Sequence, residues 1–338
     1  MLESRIFSDE KLYELLTTED RRLIEELQTR ARHVTRQAYG NKIYIRGLIE
    51  YSNYCNQVCY YCGINALNKE ITRFRLTKSQ IYDSIKIGYI RGFRTFVLQG
   101  GEDLACSDYD FVEIIRHIKE NYPDCAVTLS IGVRSKEAYK LMKNAGADRF
   151  LLRFETSNPE AFSKLHSEKQ SLERRLEALK DLKDLGYTTG TGFLVGAPFT
   201  NVEDLVEDIK LLRVLEPEMI GIGPFIAHSD TEFAQTPNGS VETTLRILSI
   251  IRLEHPYALI PSTTALNTLD ENGRVNGILA GANVLMPNLS PNFAKDNYTL
   301  YDNKQKAGLE SGEGLEKLKI LLRKYGYEIE IGRGDYKG

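Results

Sequence analysis

Residues 43–65 read IYIRGLIEYSNYCNQVCYYCGIN, an apolar run that we predict to be a β-strand, followed at once by three cysteines. Cys55, Cys59 and Cys62 have the spacing C-x₃-C-x₂-C, which places three thiols on one short loop. Three such thiolates can ligate three irons of a [4Fe–4S] cluster and leave the fourth iron without a protein ligand. An iron left open in this way is a site for a substrate, as is the open position of a catalytic zinc.

Two other metal sites are alternatives for the three cysteines. A structural zinc site needs a fourth Cys or His at short spacing, and none of the five histidines lies near this loop. An electron-transfer cluster usually has a fourth cysteine ligand. The remaining cysteines, Cys106 and Cys125, stand apart, and we interpret them as free thiols without a catalytic role. The open cluster is therefore the preferred interpretation of the loop.

Downstream of this loop, short β-rich runs alternate with longer amphipathic stretches. Eight runs are predicted to be strands: Ile43–Ser52, Thr95–Gln99, Ala126–Ile131, Arg149–Glu155, Thr188–Val195, Met219–Ile226, Ala258–Thr264 and Asn283–Pro287. Eight strand–helix repeats predict an α/β fold in which a parallel sheet closes as a (β/α)₈ barrel of the TIM type. A doubly wound open sheet is the alternative.

Composition and length favour one globular domain with extensions. The chain has 338 residues, and we predict an N-terminal helical extension at 1–41, the barrel at 42–300 and a C-terminal extension packing on the barrel at 301–338. The net charge of −3 gives no reason to expect a nucleic-acid or anionic-membrane partner. Because the sequence has no long apolar segment and no signal-peptide core, we expect a cytoplasmic protein without a membrane span.

The fourth predicted strand carries its charge on one face. In ADRFLLRFET, residues 147–156, every second residue from Phe150 is apolar, so Arg149, Arg153 and Glu155 share the face that points into the barrel. Charged groups inside a barrel are costly unless they pair or bind a ligand. We expect the two arginines to meet an anionic substrate group through bidentate hydrogen bonds. An internal salt-bridge network without a ligand is the alternative.

Other predicted strands end in residues suited to binding. Thr263 and Thr264 end the seventh strand and bring hydroxyl groups to the barrel mouth, where this fold places its chemistry. The sixth and eighth strands are largely apolar, the sixth contains two glycines, and their Ile222 and Met286 are candidate walls of an adenine pocket. Met286 is equally suited to the core.

The cysteine spacing, with the aromatic Tyr61 directly before the third cysteine, resembles the signature of the radical S-adenosylmethionine (SAM) superfamily. This resemblance implies that SAM chelates the open iron. An electron from the cluster then cleaves it to methionine and a 5′-deoxyadenosyl radical, which attacks the substrate. After the second strand, Gly100, Gly101 and Glu102 resemble the superfamily segment that meets the SAM amino group.

A finer resemblance, to the HydE family of [FeFe]-hydrogenase maturases, covers roughly residues 45–300 in that family's order. The segments that carry it are VLQGGED, DRFLLRFETSNP, LERRLEALKDLKDLGYTTGTGFLVGAP, IGIGPFIAHSDT, IPSTTA and GANVLMPNLSP. The residues that match the family's SAM contacts are Tyr61, Glu155, Arg175 and Met286, with Arg175 on the methionine carboxylate. The residues that match its cavity for substrate or anions are Gln99, Arg149, Arg153, Thr263, Thr264 and Tyr298.

This family resemblance implies a role in building the hydrogenase active site. The implied substrate is a cysteine-bound iron carbonyl–cyanide unit. The implied partners are an electron donor such as flavodoxin or ferredoxin, and the other hydrogenase maturases. Two features depart from the family pattern: no cysteine follows Cys125, so a second cluster is not expected, and Phe154 stands where a histidine is frequent.

Several alternatives stay open at this point. A methylornithine synthase-like mutase shares the cluster loop and the barrel, and a HydE-like paralogue would act on another small substrate derived from an amino acid. Biotin synthase is disfavoured because its second cluster needs cysteines on barrel strands. From a different class, a non-enzymatic iron–sulfur scaffold or carrier would hold the cluster without cleaving SAM.

Overall fold

The computed structural model describes residues 6–304 and 314–338. The strands in these ranges are β1 (Lys42–Ile45), β2 (Gly47–Ser52), β3 (Thr95–Gly100), β4 (Ala126–Ser130), β5 (Arg149–Leu151), β6 (Thr188–Thr191), β7 (Leu194–Val195), β8 (Met219–Ile220), β9 (Gly223–Pro224), β10 (Val284–Leu285) and β11 (Glu328–Glu330). The helices are α1 (Asp9–Thr17), α2 (Arg21–Tyr39), α3 (Lys78–Ile90), α4 (Asp108–Asn121), α5 (Lys136–Ala145), α6 (Pro159–Leu165), α7 (Leu172–Asp184), α8 (Val202–Leu215), α9 (Val241–Glu254), α10 (Thr264–Leu269), α11 (Gly273–Leu279), α12 (Asn292–Asn297) and α13 (Leu315–Lys324).

Eight segments form the barrel wall in sequence order. A six-stranded parallel sheet has the order β2-β3-β4-β5-β6-β8. Single bridges continue it from β8 to residues 258–264 and from there to β10, and a bridge between Leu48 and Asn288 returns the wall to β2. The wall therefore closes on itself. The predicted (β/α)₈ barrel is confirmed, and the open-sheet alternative is excluded.

Some predicted strands are shorter or interrupted in the structure. β5 ends at Leu151, before the predicted end at Glu155, whose φ of 72° is not that of extended backbone. The fifth and sixth runs each divide in two, as β6 with β7 and β8 with β9. The seventh run makes single bridges only, because Thr264 already begins α10.

The helices between the wall segments are fixed at their ends by their own sequence. α8 begins with a capping box, in which the Asn201 side chain accepts from the Asp204 N–H and the Asp204 carboxylate accepts from the Asn201 N–H. α7 begins at the N-cap Ser171, and after it Gly186 takes a left-handed conformation with φ 77°. These caps set the helix positions and so the loops that enter the barrel mouth.

Elements outside the wall cover two of its sides. α1 packs on α8 and α9, and α2 packs on α9. β11 pairs with the outer side of β1, whose other neighbour is β10. The boundaries predicted at residues 41 and 300 stay a prediction. No helix in the described ranges is long and apolar enough to cross a membrane.

Candidate active site

A cavity of about 370 Å³ lies at the carboxyl ends of the barrel strands. Its wall takes residues from the ends of β2, β3, β4 and β5 and from the segments around β9, the seventh run and β10. Barrels of this type place their chemistry at this end. All the site residues predicted from the sequence line this cavity except Arg149 and Ile222.

The three cysteines of the loop after β2 face this cavity. The Cys55 sulfur accepts the Glu102 N–H at 3.4 Å, and the Gln170 amide donates to the Cys59 sulfur at 3.6 Å. Burial raises the pKa of all three thiols, to about 12 for Cys59, and the other two cysteines raise the pKa of Cys62 further. Thiols that are buried and close enough to oppose one another's ionisation fit a cationic metal cluster, which favours the thiolate.

One arginine holds the ends of the cysteine loop together. The Arg73 guanidinium donates to the backbone carbonyls of Asn53, Ile64, Asn65 and Asn68 at 2.5–2.8 Å. Hydrogen bonds from one side chain therefore fix the two ends of the loop relative to each other. Within residues 6–304 and 314–338, no three His, Cys, Asp or Glu side chains are grouped to hold a single metal ion.

Gly100, Gly101 and Glu102 follow β3 and lie against the cysteine loop. A Cβ at position 101 would be 2.2 Å from the Tyr54 carbonyl oxygen, so glycine is needed for the two loops to approach. The Glu102 carboxylate accepts from the Gln57 amide at 2.8 Å and from a backbone N–H of the β4–α5 loop at 3.2 Å. A carboxylate held in this way can accept from an amino group in the cavity.

Arg175 and Tyr61 lie on the side of the cavity near α7. Arg175 is 8% exposed and donates to the Arg153 carbonyl and the Gln170 side chain, both at 2.9 Å. The Tyr61 hydroxyl is 3.4 Å from the His166 ring nitrogen. Burial lowers the pKa of His166 to about 3, so its ring is neutral. With His166 neutral, Arg175 provides the positive charge on the side of the cavity near α7. Its hydrogen bonds hold it in place, and its guanidinium can bind a carboxylate.

The charged face of the fourth run continues above β5. Arg153 Nη2 and Glu155 Oε2 are 3.1 Å apart, but this ion pair lacks hydrogen-bond geometry. Among the described residues, neither of these atoms nor Arg153 Nε has a hydrogen-bond partner. Glu155 also holds its backbone in the left-handed region, at φ 72°. Strained residues with unfilled hydrogen-bonding capacity are typical of ligand-binding positions.

Arg149 corrects one expectation from the sequence. It is fully buried at the amino end of the barrel, where it donates to Asp335 at 2.7 Å, to the Arg333 carbonyl at 2.6 Å and to the Thr95 hydroxyl at 3.2 Å. Arg149 begins β5, four residues before Arg153, and so lies below the cavity. It therefore does not line the predicted substrate cavity, and a carboxylate of the protein already pairs with it.

Ile222 corrects a second expectation. Its neighbours Gly221 and Gly223 both line the cavity, while the Ile222 side chain is fully buried in the apolar core on the other side of the wall. The reason is the alternation of side chains along an extended segment. The cavity wall at this point therefore consists of backbone and glycines.

The other predicted residues lie on the cavity wall as a group: Gln99, Thr263, Thr264, Met286 and Tyr298. The Thr263 hydroxyl has no hydrogen-bond partner in the described part of the chain. Burial raises the pKa of Tyr298 well above its ordinary value, so this phenol stays protonated. The wall thus offers hydroxyl and amide groups in the same cavity as the cysteines.

Sequence reasoning missed two charged residues in the cavity. Glu50 is fully buried in β2, and its carboxylate pairs with the Lys304 ammonium, which also donates to the Tyr298 carbonyl at 2.9 Å. Glu50 had a signal in the sequence, because it is the charged residue of GLIEYS and shares its face with Leu48. Lys304 had none, since it follows the last barrel strand.

Comparison with known proteins agrees with this site and fold. Residues 49–212 match the Radical SAM superfamily. In solved structures, the chain resembles methylornithine synthase (PylB), with a TM-score of 0.84 and 26% identity over 97% of this chain and 96% of that one. A closed barrel with three cysteines on its first loop, together with this match, defines a member of the radical SAM superfamily. Enzymes of this superfamily typically use a [4Fe–4S] cluster and SAM.

Sequence relatives define the family more narrowly. The [FeFe] hydrogenase maturase subunit HydE of Thermotoga maritima is 41% identical over 303 residues, covering 90% of this chain and 86% of the relative. The 3-methylornithine synthase of Methanosarcina acetivorans is 29% identical over 304 residues, covering 89% and 85%. The chain belongs to the HydE family.

Proposed function

We propose that this chain is a radical SAM enzyme of [FeFe]-hydrogenase maturation, with a [4Fe–4S] cluster held by Cys55, Cys59 and Cys62. The observation that carries this proposal is the 41% identity to a hydrogenase maturase over nine-tenths of the chain. When bound, the cluster supplies the electron that cleaves SAM to methionine and a 5′-deoxyadenosyl radical.

Side chains around the cysteines are proposed to bind SAM. Glu102, beside Cys55, accepts from its amino group, and Arg175 donates to its carboxylate. Glu155 accepts from the ribose or the amine. Tyr61 and Met286 pack against it, and the glycines of positions 100 and 101 allow its close approach.

The remaining polar wall is proposed to bind the substrate, a cysteine-bound iron carbonyl–cyanide unit. Arg153 has two nitrogens without hydrogen bonds in the described part of the chain, which supports a role in binding an anionic group. Thr263, Thr264, Gln99 and Tyr298 supply hydroxyl and amide contacts. A reduced flavodoxin or ferredoxin is the proposed electron donor in the cytoplasm, and the other hydrogenase maturases are proposed partners.

SAM cleavage is the first test of this proposal. The protein is reconstituted with iron and sulfide without oxygen, reduced with dithionite and incubated with SAM. We expect 5′-deoxyadenosine and a change in the cluster EPR signal on SAM addition. If neither is observed, the enzyme proposal fails and the scaffold or carrier alternative is favoured.

The second test addresses the hydrogenase role. Adding the protein to a cell-free maturation mixture that lacks its own HydE should restore activity to an apo-[FeFe]-hydrogenase. A second candidate function is that of a methylornithine synthase-like mutase. The observation in its favour is the structural match to methylornithine synthase, with a TM-score of 0.84. Conversion of lysine to methylornithine, without hydrogenase activation, would establish that alternative.

A further inference from the structure

Gln170 lines the cavity beside the cysteine loop, in the connection between α6 and α7. The backbones of the two loops are paired, because His166 forms a β-bridge with Cys59 and the Ser167 N–H donates to the Val58 carbonyl at 2.9 Å. The Gln170 N–H donates to the Ser167 carbonyl at 2.9 Å, which closes a turn. This pairing brings the side chain at position 170 within reach of the cluster ligands.

The side-chain amide of Gln170 has one orientation that suits its neighbours. Its oxygen accepts from Arg175 Nη2 at 2.9 Å. Its nitrogen lies 3.3 Å from the Val58 carbonyl oxygen and 3.6 Å from the Cys59 sulfur. Because a guanidinium only donates and a carbonyl only accepts, a flipped amide would lose both of those contacts. The amide N–H therefore faces the Cys59 sulfur for reasons that do not depend on the protonation of that sulfur.

Cys59 differs from the other two cluster ligands in the origin of its hydrogen bond. The Cys55 sulfur accepts from the backbone N–H of Glu102 at 3.4 Å. Burial raises the pKa of the Cys62 thiol, and a hydrogen bond from the backbone N–H of Ile64 opposes that effect. The donor to the Cys59 sulfur is instead a side-chain amide, so a single substitution can remove it.

A hydrogen bond to a ligand sulfur favours added negative charge at that sulfur. Burial raises the pKa of Cys59, and the Arg175 charge and the Gln170 amide both oppose that effect. Reduction of an iron–sulfur cluster also adds negative charge, and hydrogen bonds to the sulfurs are among the factors that set its potential. Arg175 strengthens this donor, because a cation on the amide oxygen polarises the amide and its N–H.

We propose that Gln170 is a positioning residue that raises the reduction potential of the cluster by donating to the Cys59 sulfur, and that Arg175 acts on the cluster through it. This inference rests on the proposed function, because it needs the cluster to be held by the three cysteines. It gives Gln170 a role that precedes SAM binding and requires no contact with the substrate.

The test is a redox titration of reconstituted Gln170→Leu without SAM, followed by the EPR signal of the reduced cluster. Iron and sulfide analysis first establishes that the proteins compared hold equal amounts of cluster. At a fixed potential the ratio of reduced to oxidised cluster should fall by about fivefold, the scale of one net hydrogen bond, which is roughly 40 mV for one electron. The control Gln37→Leu changes an exposed amide on α2 that does not line the cavity, and should titrate like the unaltered protein.

A merely structural role for Gln170 predicts a different result. If Gln170 only holds Arg175 in place, Gln170→Leu should weaken SAM binding and leave the potential of the SAM-free cluster unchanged. That outcome would overturn the inference.

Gln170→Glu decides in its place if Gln170→Leu assembles no cluster. The carboxylate still accepts from Arg175 but has no N–H for the Cys59 sulfur, and its negative charge acts in the same direction. This variant should therefore titrate below the unaltered protein, and a potential equal to or above that of the unaltered protein would overturn the inference.

Deoxyadenosine formation by the unaltered protein separates this test from the proposed function. Deoxyadenosine together with an unchanged potential in Gln170→Leu removes only the inference about Gln170. A lowered potential in that variant, without deoxyadenosine from the unaltered protein, removes only the enzyme proposal.

Discussion

Arg149 and Arg153 are four residues apart on the same face of one barrel run, but they lie at opposite ends of the barrel and differ in burial and in hydrogen bonding. At the amino end, Arg149 is fully buried and donates to Asp335, to a backbone carbonyl and to Thr95, and only its Nε lacks a hydrogen bond in the described part of the chain. At the carboxyl end, the Arg153 side chain is 26% exposed, and two of its nitrogens lack hydrogen bonds in the described part of the chain.

This difference indicates that, along a single run, the residue at the amino end contributes to stability and the residue at the carboxyl end to ligand binding. At the amino end the chain itself supplies the partner, through residues 333–335 that reach under the barrel. At the carboxyl end the polar groups keep free hydrogen-bonding capacity, as Glu155 Oε2 and the Thr263 hydroxyl do among the described residues. Residue type and face are therefore not enough to assign a role, because the end of the strand decides it.

The largest effect is expected from Cys59→Ala at the carboxyl end. Removing one of three cluster ligands should lower the iron content of the reconstituted protein by at least about tenfold and abolish SAM cleavage. The apo-protein should unfold at the same denaturant concentration as before, since the cysteine loop is held by Arg73. Iron analysis, EPR and denaturant unfolding measure these quantities.

Cys106→Ala is the matched control, because Cys106 does not line the cavity. The iron content of this variant should equal that of the unaltered protein. A large loss of apo-protein stability in Cys59→Ala would contradict the comparison, since the carboxyl end would then carry the fold as well.

The next prediction compares substitutions of the two arginines, one expected to affect turnover and the other stability. Arg153→Leu should lower substrate turnover by roughly a hundredfold, while cluster content is retained and stability changes by less than about 1 kcal/mol. Arg149→Leu should instead lower the free energy of unfolding by about 3 kcal/mol, because it removes several buried hydrogen bonds. Turnover assays and denaturant unfolding of both variants are the measurements. Loss of folding in Arg153→Leu would favour the internal salt-bridge alternative at the carboxyl end.

The barrel and its mouth were accessible from the sequence for a physical reason. Each strand repeats the same local pattern, and the carboxyl ends of parallel strands converge, so Cys55, Glu102 and Arg153 could be brought together without knowing distances. Glu50 follows from the same alternation and could have been included. The predicted strand ends were wrong where the backbone leaves the extended conformation, as at Glu155.

Arg149 could not be assigned in the same way. Its partner Asp335 is 186 residues away in the chain, and no local pattern links the two. The prediction that Ile222 lines the cavity was wrong for another reason. The glycines on either side of it have no side chain that would indicate which face points inward. Long-range pairing and glycine-rich segments thus set the limit of the sequence argument.

Two carboxylates, the half-exposed Asp335 and the buried Asp208, extend the comparison to pH. At the amino end, burial opposes ionisation of Asp335, but hydrogen bonds from Arg333 and Arg149 hold its pKa below the ordinary value. At the carboxyl end, Asp208 of α8 is fully buried without an ion pair in the described ranges, and it accepts the Ser157 N–H at 2.5 Å. Burial raises its pKa to about 7.

The smallest effect is therefore a pH dependence at Asp208. The unfolded carboxyl group titrates near 3.8, so between that pH and about 7 the native state binds the proton more tightly. The free energy of unfolding should fall as pH rises through this window, by at most a few kcal/mol. Asp208→Asn should remove this slope, and Glu203→Gln, which changes an exposed carboxylate on α8 that does not act on the pKa of Asp208, should keep it. Since Ser157 follows Glu155 by two residues, an unchanged slope in Asp208→Asn would mean that the turn after Glu155 is not held by a protonated carboxyl group.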